Sequence, residues 1–142
     1  MHCGLPRIDP ADVAAVGPRD NDELAAAGVA SLDGQLGALI GPAELTADRY
    51  AAALASLPPP WWLHTDLDVL ATTELTAVDY PQPGGLTWDQ LAGLTALALA
   101  ADGCAGWSVC IYNPDLDPGR AGADAIISYI TQAITASNHP AR

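Results

Sequence analysis

Lysine is missing from this chain, and all five of its basic residues are arginine. Against them stand 17 aspartates and glutamates, for a formal charge of −12. A surface this acidic repels phosphate backbones, which argues against nucleic-acid binding. It remains compatible with cationic small molecules and metal ions. Cys-x-x-Cys pairs are also missing. The three cysteines, Cys3, Cys104 and Cys110, are odd in number and irregular in spacing, which removes zinc-ribbon and redox-motif readings. They read as free thiols in a reducing cytoplasm, with Cys104 and Cys110 as small core residues. Long apolar runs are scarce: the longest, "LAGLTALALAA", is too short to span a bilayer, so no membrane segment is expected. The opening "MHCGLPRIDP" has no basic segment leading into an apolar one, so no secretory leader is expected either. There is no internal repeat and no low-complexity block.

What the chain does have is 50% hydrophobic residues over 142 positions, enough for one modest globular domain with a core. "DVAAVG" (12–17) predicts a short buried strand. "NDELAAAG" (21–28) predicts a short helix, capped by Asp20 or Asn21 and closed by Gly28. "VASLDG" (29–34) predicts a weaker second strand. "LTADRYAAALASL" (45–57) predicts a helix with Thr46 as its cap, Tyr50, Leu54 and Leu57 on its apolar face, and the following "PPP" as its stop. "WWLHTDLD" (61–68) predicts a third strand. "TWDQLAGLTALALAADG" (87–103) opens with a Thr87–Gln90 capping box. "GWSVCIYNP" (106–114) predicts a fourth strand. "GADAIISYITQAITA" (122–136) predicts a last helix with Ile126, Ile127, Ile130 and Ile134 on one stripe. Strands alternate with helices, which predicts an α/β fold: a three-layer αβα arrangement around a parallel sheet of about four strands. Residues 1–136 read as a single partial domain and 137–142 as a frayed tail.

The most informative stretch is "WWLHTDLDVL", in which a mostly apolar strand ends in Asp66 and Asp68. Both faces are apolar until the tip, which suits a central strand covered on both sides. Open parallel sheets bind ligands beyond the carboxyl ends of their strands, where these aspartates fall. Alternation puts the two on one side of the strand, with His64 on the same face. Two carboxylates that close repel unless a cation lies between them, and oxygen or mixed oxygen–nitrogen sites suit magnesium or manganese. His64 reads either as a nitrogen ligand or as a half-buried partner for a carboxylate. A structural role, capping the loop that follows, is open to the aspartates as well. That loop, 68–86, is long and rich in Thr, Pro and Gly, and long ordered loops are usually functional.

Three segments in order resemble the arginase–agmatinase (ureohydrolase) family. "HTDLDVLATTELTAVDYPQPGGLT" resembles the family's aspartate-pair strand and the loop that ends in Gly-Gly-Leu-Thr, here Gly84 to Thr87. "VGPRDNDE" resembles its G-x-R-D-x-D segment, and "IYNPDLDP" its E-x-N-P. The resemblance runs from Ile8 to Ile134 and corresponds to the second half of the family's fold. It implies hydrolysis of a guanidino-type carbon–nitrogen bond, one other than a peptide bond. It implies two manganese ions holding a hydroxide made nucleophilic by the metals. It also implies a cationic guanidino-type small molecule as ligand. By position, Asp66 is similar to the carboxylate that bridges the metals, and Asp68 to the carboxylate on the second metal. Asp22, with Asp20 beside it, is similar to the acids that orient the substrate's amino end.

Departures from the family pattern shape a second set of expectations. The family's first half carries a Gly-Gly-Asp-His segment and a D-x-H-x-D cluster that supply most metal ligands. Nothing equivalent occurs here, where His2 and His139 stand at the two ends. The glutamate that binds the guanidinium is Ile111, and the Leu-Asp-Pro after the aspartate pair is Leu70-Ala71-Thr72. The resemblance also implies that one strand of the other half lies between the first and second pairs of strands. That would leave sheet edges open, and so predicts a homo-oligomer or a complementing chain. Two functional readings follow. One is a hydrolase with part of a dinuclear manganese site, weak or inactive alone. The other is a non-catalytic partner or scaffold with a vestigial site. A third class, haloacid-dehalogenase-like phosphotransferases, shares a strand running into D-x-D. It wants threonine or valine where this chain has Leu70, and a lysine where the chain has none.

Overall fold

A computed structural model describes residues 7–138, so Cys3, His2, His139 and the last four residues of the expected tail lie outside the described residues. Four strands alternate with four helices, in the order expected from the sequence. They are β1 (Ala14–Val16), α1 (Asn21–Ala26), β2 (Ala38–Ile40), α2 (Ala47–Ser56), β3 (Trp61–Asp66), α3 (Trp88–Ala100), β4 (Cys104–Cys110) and α4 (Ala121–Ser137).

The helix starts are set by local chemistry. Thr46 Oγ1 accepts the Arg49 N–H at 3.2 Å and so caps α2. At α3 the capping box is complete: Thr87 Oγ1 accepts from the Gln90 N–H, and Gln90 Oε1 accepts from the Thr87 N–H. Helix α3 ends at Ala100, short of the expected Gly103. Gly103 has φ +95°, and a Cβ there would meet Pro59 at 2.8 Å, so it belongs to the turn into β4.

Three other expectations need correction. "VASLDG" is not a strand. Ser31 Oγ accepts the Asp33 N–H at 3.1 Å and Gly34 takes φ +72°, so the segment curls into a turn. The second strand is the apolar triplet Ala38–Ile40 just beyond, paired with β1. The last helix buries Tyr129 and Ala133, with Ile126 and Ile130 packed beside them. Ile127 and Ile134 turn away, at 62% and 46% exposed. Finally, β3 is not covered on both faces. Trp61 and Thr65 are buried, whereas Trp62, His64 and Asp66 are exposed.

The fold is α/β with parallel strands throughout, but the described strands do not form one continuous sheet. β1 pairs only with β2, and β3 only with β4. The break falls between the first and second pairs, where the resemblance leads to the expectation of a further strand. The covered face of the β3–β4 pair rests on α3 and α4. Trp107 of β4 donates from its indole to Thr65 Oγ1 at 3.0 Å and meets Tyr129 edge-on, with ring centroids 5.5 Å apart. The Tyr129 hydroxyl shares a hydrogen with Thr95 Oγ1 at 2.8 Å, so both buried polar groups are satisfied. The loop 71–86 belongs to this core, because Leu75, Ala77, Val78 and Leu86 are buried in it. Gly85, at φ +106°, lets it pass close to β3's exit. A Cβ there would stand 2.7 Å from backbone atoms of Val69, Leu70 and Ala71.

Candidate functional site

The carboxyl ends of β1 and β3 lie side by side, held by one arginine. Arg19 donates to the carbonyls of Val69 at 2.7 Å and Asp68 at 2.6 Å, with longer contacts to Leu70 and Gln82 at 3.5 Å. Its planar fork reaches several carbonyls at once in a fixed geometry. Gly17 is pressed against Val69, where a Cβ would meet the Val69 Cγ2 at 2.7 Å. At the opposite ends of the strands, Ile8 and Asp9 line the same cavity as Pro58 and Pro60. β1 and β3 therefore run in the same direction on either side of a slot of about 930 Å³. Its floor is apolar, built from Tyr50 and Leu54 of α2 and Leu91 and Leu94 of α3.

Acids gather where the slot opens at the strand tips. Asp66 is the last residue of β3, and Asp68 follows in a tight 3-10 turn, Leu67–Val69. The alternation expected from the sequence stops at Asp66, because the turn drives Leu67 into the core, 1% exposed. The two aspartates are still electrostatic neighbours. Burial, and then the Asp66 charge, push the Asp68 carboxyl above the usual carboxylate range, while the Arg19 guanidinium opposes them. Asp20, just ahead of α1, also lines the slot and adds a smaller push on Asp68. Asp22 lies exposed in the first turn of α1 and is not part of the slot lining. His64 sits as a carboxylate partner. Its Nε2 is 3.1 Å from Asp66 Oδ1, and its Nδ1 is 2.8 Å from Ser108 Oγ.

Tyr80 and Gln82 carry no signal in the sequence, and Cys110 reads there as a core residue. Tyr80 and Gln82, in the long loop, both donate to the Glu23 carboxylate. These bonds hold Glu23 below its ordinary value and tie the loop to α1. Cys110 is exposed beside Asp66 rather than in the core, because it is Asp66's partner across the β3–β4 ladder. Strand parity puts Cys110 on one face of β4, but only the register reveals which face. Ile111 takes φ +63° at the exit of β4 and is 37% exposed. Asn113, two residues on, is structural. Its N–H donates to the Ala77 carbonyl at 2.9 Å and its side chain donates to Asp79, fastening β4's exit to the long loop.

The donors present can be tested against a pair of manganese ions. Manganese favours oxygen, and two ions need many donors between them. Asp66 and Asp68 supply carboxylates, but among the described residues no third carboxylate or imidazole converges on both. Among the described residues, the one set of three metal-ligating side chains that converges is His64, Asp66 and Cys110. The described residues alone do not fit a dinuclear manganese centre. No described helix is long and apolar enough to cross a membrane.

No protein-family model matches the sequence, and no curated protein sequence matches it. Solved structures do. Helicobacter pylori arginase superposes with a TM-score of 0.70 at 19% identity, over 92% of this chain and 45% of that one. Proclavaminate amidino hydrolase from Streptomyces clavuligerus gives 0.65 at 20% identity, over 89% of this chain and 41% of that one. Trypanosoma cruzi formiminoglutamase, solved with Mn2+, gives 0.60 at 17% identity, over 72% and 37%. The chain carries part of the arginase-type fold and spans less than half the length of these structures.

Proposed function

We propose that this chain is one part of an arginase-fold hydrolase acting on a guanidino-type or related carbon–nitrogen bond, completed by a β-strand that residues 7–138 do not contain. The observation that carries the reading is the slot between β1 and β3. Two co-directional strands present unpaired edges to each other over an apolar floor. Addition of a parallel strand would pair both edges and close the sheet. The strand would arrive with its carboxyl end at Asp20, Asp66 and Asp68. In this reading Asp66 and Asp68 supply oxygen donors to a manganese site whose other ligands come with that strand, and Asp20 at the slot mouth faces a cationic substrate, with Asp22 exposed beyond it on α1. That strand would come from a complementing chain; without one, a second copy would cover the open edges with a strand of its own.

The slot is tested on the purified chain by light scattering and amide exchange. The expected result is self-association, with amides on the open edges of β1 and β3 exchanging fast. A cooperative monomer with both edges protected would overturn it. The hydrolase assignment is tested by urea release from a panel of guanidino compounds, using the chain in its completed assembly with Mn2+. Release that Asp66→Asn abolishes supports it, and no release from any compound overturns it. One observation favours the rival reading of a non-catalytic partner. Ile111 stands where the resembled motif has its guanidinium-binding glutamate, and an isoleucine holds no cation.

A further inference from the structure

The bare face of the β3–β4 pair holds a cluster that the strand-end carboxylates do not account for. His64 and Asp66 stand two positions apart on β3, and their partners across the ladder are Ser108 and Cys110. One ligand atom from each of His64, Asp66 and Cys110 lies within 4.8 Å of the other two. Imidazole, carboxylate and thiolate together are not a manganese set, because a thiolate selects softer ions. We propose that His64, Asp66 and Cys110 form a mononuclear zinc site with its fourth position open to solvent.

Tetrahedral zinc, with bonds of about 2.0–2.3 Å, holds its ligand atoms about 3.3–3.7 Å apart. His64 Nε2 and Asp66 Oδ1 are already 3.1 Å apart. Small rotations of three exposed side chains bring the Cys110 Sγ to the same centre. Zinc displaces the thiol proton of Cys110, and the neutral imidazole carries its proton on Nδ1 while Nε2 binds the metal. That Nδ1–H then donates to Ser108 Oγ, 2.8 Å away, an outer-shell contact that orients the ring. Trp62 Nε1 donates to the same oxygen at 3.1 Å and fixes it from the other side. Three protein ligands with an open fourth position is the arrangement of zinc sites that bind water or substrate, not of purely structural ones. The site needs neither Asp68 nor a missing strand, and shares only Asp66 with the function proposed above.

The test is a cobalt(II) titration of the full chain under reducing conditions, read by absorption. One equivalent is expected to bind, with a thiolate-to-cobalt charge-transfer band in the near ultraviolet and intense tetrahedral visible bands, all displaced by zinc. Cys110→Ser should lose the charge-transfer band, while Cys104→Ser keeps it. His64→Ala should weaken binding at least tenfold, and Ser108→Ala by about tenfold. Asp68→Asn should keep the spectrum and weaken binding far less than Asp66→Asn does, because it removes a neighbouring charge and not a ligand. Unaltered near-ultraviolet circular dichroism in each variant separates a lost ligand from a lost fold. No binding, a spectrum without the thiolate band, or a band that survives Cys110→Ser overturns the proposal. Loss of binding in Asp68→Asn equal to that in Asp66→Asn overturns it too, by moving the metal to the strand-end acids. None of these results touches the slot, which is tested separately by association and edge exchange.

Discussion

The two strand pairs are built to different standards. β1 and β2 are three residues each, and of their six residues only Ile40 is fully buried. β3 and β4 are six and seven residues long and lie on α3 and α4, around Tyr129 and its two tryptophan neighbours. The long loop adds its own apolar residues to the second pair, while the first is attached to it through the slot floor and the Arg19 clamp. Stability is therefore concentrated in one pair and the other is docked onto it. The acids of the candidate site come from both sides of that seam, Asp20 from one and Asp66 and Asp68 from the other.

The difference can be broken most severely at Tyr129. It is 2% exposed, and its ring and hydroxyl are both engaged. Tyr129→Ala is expected to cost about 4 kcal/mol, enough to unfold the chain in a urea titration. A loss below about 1 kcal/mol would mean that the core does not centre on the β3–β4 pair. Gly85→Ala comes next, at about 3 kcal/mol, because its Cβ would run into the backbone of residues 69–71 in a left-handed conformation. A melting temperature close to that of the parent would show that the loop can shift away from β3.

Arg19→Gln sharpens the comparison rather than breaking it. The guanidinium bonds to carbonyls across the seam are expected to be worth about 2 kcal/mol together, given their charge and partial burial. The informative readout is where the loss falls. Amide exchange should accelerate in Ala14–Val16 and Ala38–Ile40, with β3 and β4 little changed. Equal acceleration in both pairs would mean that they fold as one unit.

This division also explains what could be read from the sequence. Elements with local signals were legible: the Thr46 cap, the Thr87–Gln90 box, and the alternation of strands with helices. The break between strand pairs was legible through the resemblance, whose strand order leaves a gap at that place. The second strand was missed because "VASLDG" carries the alternating pattern, whereas Ala38–Ile40 is three apolar residues whose strand character comes only from pairing with β1. At the site, Asp66, Asp68 and His64 were visible as one run of chain. Cys110, Ser108 and the Arg19 clamp were not, because their positions depend on a cross-strand register and on a contact some fifty residues away in sequence. The bare face was misjudged because Trp62 is apolar. Its ring lies over Gly106, where a Cβ would come within 2.5 Å of the indole, and it stays 60% exposed.

The smallest expected effect is the one most specific to the seam. Burial and the neighbouring Asp66 raise the Asp68 carboxyl above its unfolded value, so the folded chain binds that proton more tightly than the unfolded chain does. Relative to neutral pH, the folded chain therefore gains stability below the ordinary carboxylate range, and that gain is lost as pH rises from there through the raised value. Glu23 and Asp117 work in the opposite sense. Hydrogen bonds from Tyr80 and Gln82 to one, and from the start of α4 to the other, hold them low. What those bonds contribute is present at neutral pH and lost as pH falls through the lowered values. Asp68→Asn should consequently raise the melting temperature slightly at neutral pH, and the gain should vanish in acid below the ordinary carboxylate range. A gain that persists in acid would come from packing rather than charge. A loss at neutral pH would mean that the Asp68 carboxylate has a cationic partner, with the Arg19 fork turned to it from the carbonyls beyond β3.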